Sequence, residues 1–303
     1  MKTAIYFNES QPLLYGYYIC KGVIFLHRKI SAAVFTVLTA MFMCGCTSDK
    51  NTVGQSAGHN NRGGRTPAET AFLTDGKEKV CYGQGYETDS DNRPVGAIQA
   101  QEKYGSYGGR FIFGKDDKTI RLTFDEGYEN GCTGKILDIL KEKKVTATFY
   151  VTLDYVKSSP ELVSRMINEG HEVGNHSCTH PSLPDISDDM VFEEIHGLET
   201  YISDNFGGYK TVTMRPPRGE FSVRTLRIAK NMGYDTVLWS FAYNDWNTDA
   251  QPDRDTAYRR ITSATHNGAV YLLHAVSETN TAILPDVIDY WLDNGYTVKS
   301  ISG

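Results

Sequence analysis

Thr123-Phe124-Asp125-Glu126-Gly127-Tyr128-Glu129-Asn130-Gly131 is the stretch on which the reading of this chain turns. The apolar run Ile120-Arg121-Leu122-Thr123-Phe124 leads into it, and a helix-like run begins near Thr133 just beyond it. Two acids therefore stand side by side at a strand end, and Gly127 and Gly131 let the backbone turn sharply after them. Strand ends of this kind are where α/β folds keep their chemistry. Taken alone, such a pair is more often a solvated acidic corner than a site, so its weight comes from the rest of the chain.

Outward from this stretch the pattern repeats. Strand-like runs fall at 120–124, 147–152, 171–175, 212–214, 236–239, 269–274 and 296–301. Helix-like runs lie between them. Thr133–Lys143 and Pro160–Asn168 are two, the second ended by Gly170 in the manner of a helix C-cap. Val191, Ile195, Leu198, Ile202 and Phe206 form one apolar face. Ser222 caps a further run holding Leu226 and Ala229 and ending at Gly233. Runs at 254–264 and 283–292 complete the set. Strand alternating with helix predicts an α/β fold with a parallel sheet. Seven such units favour a closed or nearly closed (β/α) barrel over an open sheet.

Polar clusters close four more strands. In Gly174-Asn175-His176-Ser177-Cys178-Thr179-His180-Pro181, His176 and His180 are spaced to share one face of a helical turn, as a metal site requires. A lone pair at this spacing is usually two surface histidines. Placed at the same barrel rim as Asp125-Glu126, two histidines and a carboxylate with open positions for water make a hydrolytic metal set. Arg215-Pro216-Pro217-Arg218-Gly219, Asn244-Asp245-Trp246 and Tyr271-Leu272-Leu273-His274 follow, each at a strand end. A proline turn or a core histidine explains any one of these, but not five together.

In their order these clusters resemble the polysaccharide deacetylases, carbohydrate esterase family 4, and within them the branch that deacetylates peptidoglycan N-acetylmuramic acid on the way to the δ-lactam of spore cortex. The likeness runs from about Tyr104 to the C-terminus. It implies a distorted (β/α)7-8 barrel and a metal-dependent hydrolase that removes acetyl groups from peptidoglycan strands, with a divalent cation, zinc first among them, as cofactor. By resemblance, Asp125 matches the general base and Arg215 the residue that holds it. His176 and His180 match metal ligands. His274 matches the general acid and Asp245 its partner, while Trp246 and Leu272 match the walls of the acetyl pocket. Glu126 stands where the family has its third metal ligand, an aspartate, and Arg218 where many members carry tyrosine.

Arg218 suggests the sugar. N-acetylmuramic acid that lacks its stem peptide ends in a free lactyl carboxylate, which a guanidinium grips through two parallel bonds. Two rivals stand beside this reading. One is a deacetylase of N-acetylglucosamine in peptidoglycan, chitin or an exopolysaccharide. The other is a glycan-binding pseudoenzyme that lost tight metal binding through Glu126.

The remaining chain sets the context. Its 303 residues suit one large domain or two small ones, and 40% hydrophobic and 12% aromatic content supply a sizeable core. A net charge of -6 with interspersed signs argues against nucleic acid as a partner; the chain is expected to act as a monomer. His27-Arg28-Lys29, an apolar stretch from Ile30 to Met43, and Cys44-Gly45-Cys46 resemble a bacterial lipoprotein leader, with Cys46 as the lipidated residue. Such leaders seldom carry a long preamble, so translation is expected to start between Val23 and His27. The expected division is leader 1–46, a polar tether 47–100 with its most flexible part from Gly54 to Gly64, and a catalytic domain 101–303, exported and anchored to the membrane facing the wall. Cys178, two residues from His176, is expected to point away from the imidazoles. With the leader, including Cys20 and Cys44, removed and Cys46 lipidated, Cys81, Cys132 and Cys178 remain, an odd number that assigns no pairing.

Overall fold

The computed structural model describes residues 76–303. The leader, the start site, Cys46 and most of the expected tether lie outside them. Residues 76–100 do not form a tether. Strand β1 (Val80–Cys81) pairs with a later strand, and Tyr82 donates from its hydroxyl to Trp239 O at 2.7 Å. Helix α1 (Val95–Tyr104) buries Ala97, Ala100 and Tyr104. The polar composition hid a segment that is fixed by a few aromatic contacts rather than by an apolar period. No helix among the described residues is long and apolar enough to cross a membrane.

Eight parallel strands form the main sheet. β3 (Thr119–Glu126) is its spine. β9 (Ala269–His274) runs along one edge of it, from Ile120↔Ala269 to Asp125↔His274. The other edge is shared between β10 (Thr297–Lys299) on the first half and β4 (Thr148–Val151) on the second. The path continues through β5 (Glu172–Asn175), β6 (Thr213–Met214), β8 (Asp235–Val237) and β2 (Gly109–Arg110). β7 (Glu220–Phe221) pairs only with β1. Beyond β8 the chain swings back to β9: Phe241 bridges Tyr271, and Leu272 N–H donates to Phe241 O at 2.8 Å. This contact curls the sheet into the expected distorted barrel.

The period of two along each strand sorts the side chains. On β3, Ile120, Leu122 and Phe124 face outward, where they pack with Ile136, Leu137 and Leu140 of α2 (Thr133–Lys143). On β9, Tyr271 and Leu273 join that outer layer, whereas Val270 and Leu272 fall inside with Tyr150, Val237 and Trp239. Helices α3 (Leu153–Ser158), α4 (Pro160–Asn168), α5 (Asp188–Asn205), α6 (Val223–Asn231), α7 (Arg254–Ser263) and α8 (Glu278–Asp293) complete the fold. Their starts are written in the sequence: Ser187, Ser222, Asp253 and Ser277 each accept a backbone N–H of the first turn. Gly170 ends α4 at φ +84°, a left-handed conformation that suits glycine.

Candidate active site

The inner residues at the C-terminal ends of four strands meet at one rim. Thr123 and Asp125 point inward from β3 and Arg215 from just past β6. His176 does so from just past β5, and His274 from the last position of β9. Arg215 is fully buried and acts as the hub. Its Nη1 donates to Thr123 Oγ1 and to Asp125 Oδ1, both at 2.8 Å. Nε donates to Val237 O at 3.1 Å and Nη2 to Leu238 O at 3.3 Å. The guanidinium lies over the Tyr150 ring, 4.3 Å from its centroid. A fork with this many fixed acceptors holds its charge in one place. Burial by itself pushes the Asp125 carboxyl up, but Arg215, with His176 and His274, outweighs it and holds the group below the usual carboxylate range.

His176 accepts no helical role. The segment from His176 to His180 is a loop, with Ser177 at φ +67° and His180 at φ +58°. The expected helical turn is thus absent. Side chains replace it: Asn175 Oδ1 accepts Ser177 N–H at 2.9 Å, and Ser177 Oγ accepts His180 N–H at 3.0 Å. Glu194 of α5 takes Thr179 N–H at 2.8 Å and its hydroxyl at 2.6 Å. The loop still brings the two imidazoles together, edge to face at 4.9 Å between centroids. His176 Nδ1 lies 2.8 Å from Arg215 O, so that nitrogen donates and Nε2 turns its lone pair toward Asp125 Oδ2, 3.6 Å away. Burial lowers the pKa of His176, and burial together with the neighbouring His176 ring lowers His180 to about 4. Cys178 points away, its Sγ lying against the α5 backbone near Glu193 O, because of the loop's path rather than a helical spacing.

Glu126 does not join this group. It follows Asp125 in the strand and so points to the opposite, outer face. Its buried carboxylate accepts from Thr133 Oγ1 at 3.3 Å and 3.4 Å. Burial, with the negative Glu129 nearby, raises its pKa well above the ordinary value. Among the described residues, no group of three or more His, Cys, Asp or Glu side chains is placed to hold a metal ion. The two adjacent neutral imidazoles of His176 and His180 have the donor chemistry of ligands to a divalent cation, as a pair rather than a full set. The third ligand expected from the sequence is not among them.

The far side of the rim is built from β9 and the loop after β8. His274 Nδ1 lies 2.7 Å from Asp245 Oδ1, and His274 N–H donates to Asp245 Oδ2 at 2.9 Å. Burial alone lowers the His274 pKa, but Asp245, with Asp125 beyond it, overcomes that and raises it. Leu272 is buried inside the barrel, whereas Trp246 is 52% exposed and so offers an open face rather than an enclosed wall. Arg218 is exposed, at φ +60°, and makes no ion pair among the described residues; its charge is felt by His180 and Asp185. Gly219 beside it, at φ +65°, has no room for a side chain: a Cβ there meets the Trp239 ring at 2.6 Å.

Residues 114–237 match the family model for polysaccharide deacetylases. The peptidoglycan-N-acetylmuramic acid deacetylase PdaA of Bacillus subtilis is 43% identical over 200 residues, which are 66% of this chain and 75% of that protein. The chain belongs to the polysaccharide deacetylase family. The solved structure of Bacillus subtilis PdaA, a family 4 carbohydrate esterase, superposes with a TM-score of 0.71 at 39% identity, covering 75% of this chain and 96% of that one. A CE4 family pseudoenzyme from Bacillus anthracis superposes with a TM-score of 0.60 at 27% identity, covering 64% of this chain and 67% of that one. The family therefore holds both working and silent sites on one deacetylase frame, and this chain's own residues must decide between them.

Several site residues were not singled out in the sequence. Thr123 and Tyr150 sit inside strands and read there as β-formers, and Asn175, the last residue of β5, reads as a strand end. Glu194 lies on a helix face among other acids. Only the period of two, applied from Asp125 backward, points to Thr123.

Proposed function

We propose that this protein is a peptidoglycan deacetylase that hydrolyses the acetamide of N-acetylmuramic acid lacking its stem peptide, releasing acetate and leaving a free amine. The observation that carries the reading is a pair of opposed ion pairs across one rim, Arg215 on Asp125 and Asp245 on His274. Arg215 favours the ionised form of Asp125, and Asp245 favours the cationic form of His274. This is what amide hydrolysis needs: a base for water and an acid for the amine.

Asp125 takes a proton from the attacking water as its oxygen bonds to the acetamide carbon. A backbone N–H near Arg218 steadies the oxyanion. His274 gives its Nε2 proton to the amine nitrogen as the C–N bond breaks, and the electron pair of that bond stays with the amine. Trp246 and Leu272 flank the acetyl group. A divalent cation, with zinc the leading candidate, would be held by His176 and His180. When bound, such an ion lowers the pKa of water and polarises a carbonyl.

Arg218 supports the choice of sugar, because an exposed guanidinium with no ion pair among the described residues suits a lactyl carboxylate. The relative PdaA carries peptidoglycan N-acetylmuramic acid in its name. Export, a lipid anchor and action as a monomer complete the proposal. The test is mass spectrometry of peptidoglycan fragments with the purified protein, with and without a chelator. Loss of acetyl from muramic acid, abolished by chelation and restored by zinc, is expected. Acetyl loss from glucosamine instead would move the protein to the rival substrate. The position of Glu126 favours a second reading, the glycan-binding pseudoenzyme, which predicts glycan binding with no acetate released under any metal.

A further inference from the structure

Asn280 is the third residue of α8 and is buried. Its backbone N–H is satisfied by the capping Ser277 Oγ at 3.1 Å, as an N-terminal helical residue requires. Its side chain is therefore free for another task. Nδ2 donates to Asp245 Oδ2 at 2.6 Å, and Oδ1 accepts the Tyr243 hydroxyl.

Asp245 is wholly buried, and its two oxygens carry three donors. Oδ1 faces His274 Nδ1, while Oδ2 takes the backbone N–H of His274 and the amide of Asn280. An ionised carboxylate only accepts, so the Asn280 amide must present its NH2 to it. Tyr243 fixes the other end of that amide. Burial pushes the Tyr243 hydroxyl far above its usual pKa, so it remains a donor. Its ring lies 5.9 Å from that of Phe241, centroid to centroid, and the Arg260 guanidinium is 5.6 Å from its centroid. The loop that carries Asp245 is also tied down, since Gln251 Nε2 donates to Asp245 O at 2.7 Å and Ser277 Oγ bonds Gln251.

We propose that Asn280 is a positioning residue: it clamps the Asp245 carboxylate in the plane that aligns the His274 imidazole, with Tyr243 as the stop behind it. Asn280 is buried and acts on His274 through Asp245. The proposal rests on the reading of His274 as the proton donor. Without the Asn280 amide, Asp245 Oδ2 keeps one backbone donor and the carboxylate turns about its last bond. A buried charge then loses a charge-assisted hydrogen bond, and the ring that depends on it loses its aim. The groups that face His274 are Asp245, Asp125, Arg215 and His176, and none of them performs this task in Asn280's place.

The bland alternative is that Asn280 only ties a helix to a loop. Steady-state kinetics on peptide-free muramic acid glycan and proton NMR of the full chain separate the two. The probe is the downfield resonance of the His274 Nδ1 proton, assigned by its loss in His274→Ala. Asn280→Ala is expected to lower kcat by about 10- to 100-fold, the usual cost of removing the outer partner that orients a working imidazole, with KM held within about twofold. The resonance should shift or broaden. Tyr243→Phe, which keeps the ring, should move both readouts the same way and less far. Should Asn280→Ala not fold, Asn280→Ser and Tyr243→Phe carry the test. Wild-type kcat together with an unmoved resonance in folded variants overturns the proposal. A wild-type rate in His274→Ala sinks the reading of the proton donor instead, and the resonance still decides whether Asn280 holds the pair.

Discussion

Arg215 Nη1 donates to both Asp125 Oδ1 and Thr123 Oγ1 at 2.8 Å, so one nitrogen binds two residues that share the inner face of a single strand. The guanidinium thereby sets the carboxylate's height above the barrel floor as well as its charge. Lysine carries the charge on one flexible point and cannot serve these acceptors and two carbonyls at once. Arg215→Lys is expected to lower kcat by about 100-fold through misplacement alone. Arg215→Ala leaves a buried carboxylate unpaired and should cost about 3–5 kcal/mol of stability. Denaturant titration and turnover numbers check both, and a lysine variant with wild-type kcat removes positioning from the account.

The pH profile follows from the two opposite shifts. Asp125, held below the ordinary range, keeps its charge to lower pH than a free carboxylate; His274, held above its ordinary value, keeps its proton to higher pH than a free imidazole. kcat/KM should trace a bell whose basic limb lies above about 6.5, the unperturbed histidine value. Asp245→Asn keeps a hydrogen-bond acceptor but removes the charge, so the basic limb should move to lower pH. The stability terms have matching signs. The contribution of Asp125 is present above its unfolded pKa and lost as pH falls through the folded one. That of His274 is full below its unfolded pKa and lost as pH rises through the folded one. A basic limb unmoved in Asp245→Asn would show that His274 is not the group titrating there.

The order of the elements and the inward residues Asp125, His176, Arg215 and His274 were legible because strand periodicity and strand ends are local signals. Glu126 was misread for the same local reason. Adjacency in sequence suggested a shared site, whereas adjacency in a strand sends side chains to opposite faces. The loop from His176 to His180 looks helical by spacing, but its shape comes from Asn175 and Glu194, and Glu194 lies on another element. α8 begins at Glu278 rather than at the apolar residue Ile283, because Ser277 caps a polar first turn that shows no apolar period. Asn280 was hidden in that turn.

Glu126 gives a prediction of its own. Its folded pKa is raised, so the folded state holds the proton more tightly than the unfolded one. Stability should then fall as pH rises above the unfolded value of about 4.3. Glu126→Gln removes that penalty and keeps an acceptor for Thr133. Its melting temperature should equal or exceed wild type at pH 7.5, with the difference shrinking toward pH 4, where both side chains are neutral. Calorimetry with zinc should give equal affinities for the two proteins. A loss of tenfold or more in affinity, the scale of a lost metal contact, would return Glu126 to the ligand set.

Gly174 is the point where β5 passes the ring beneath Arg215. A Cβ there meets Tyr150 Cδ1 and Cε1 at 2.5 Å, a distance no ordinary contact reaches. Gly174→Ala must therefore push Tyr150, whose hydroxyl donates to Thr213 Oγ1 at 3.2 Å and whose face carries the guanidinium. The expected cost is about 1–3 kcal/mol, with a fall in kcat because Arg215 moves with the ring. Adding Tyr150→Leu should make the Gly174→Ala cost smaller than it is alone, a coupling that a double-mutant cycle measures. Full additivity would place the strain elsewhere.

Arg218 is the residue on which substrate choice rests. It holds a left-handed backbone at φ +60°, a conformation that costs an ordinary L-residue about 1–2 kcal/mol. Its side chain obtains no ion pair in return among the described residues, since the nearby Asp185 is already bound by Lys79 at 2.7 Å. A strained, unpaired and exposed cation beside His180 is explained by a ligand better than by the fold. Arg218→Gly separates the two accounts. Glycine relieves the backbone but brings about 0.5–1 kcal/mol of extra chain entropy to the unfolded state, so net stability should stay close to wild type. Activity on peptide-free muramic acid should nonetheless fall, because the carboxylate loses its bidentate partner. Arg218→Tyr should lose activity on muramic acid more than on N-acetylglucosamine oligomers. Amidation of the lactyl carboxylate should weaken the wild type and leave Arg218→Tyr unaffected. Equal losses of Arg218→Tyr on both sugars, or no response of wild type to amidation, would remove Arg218 as the selector and leave the choice between the two sugars to other residues of the rim.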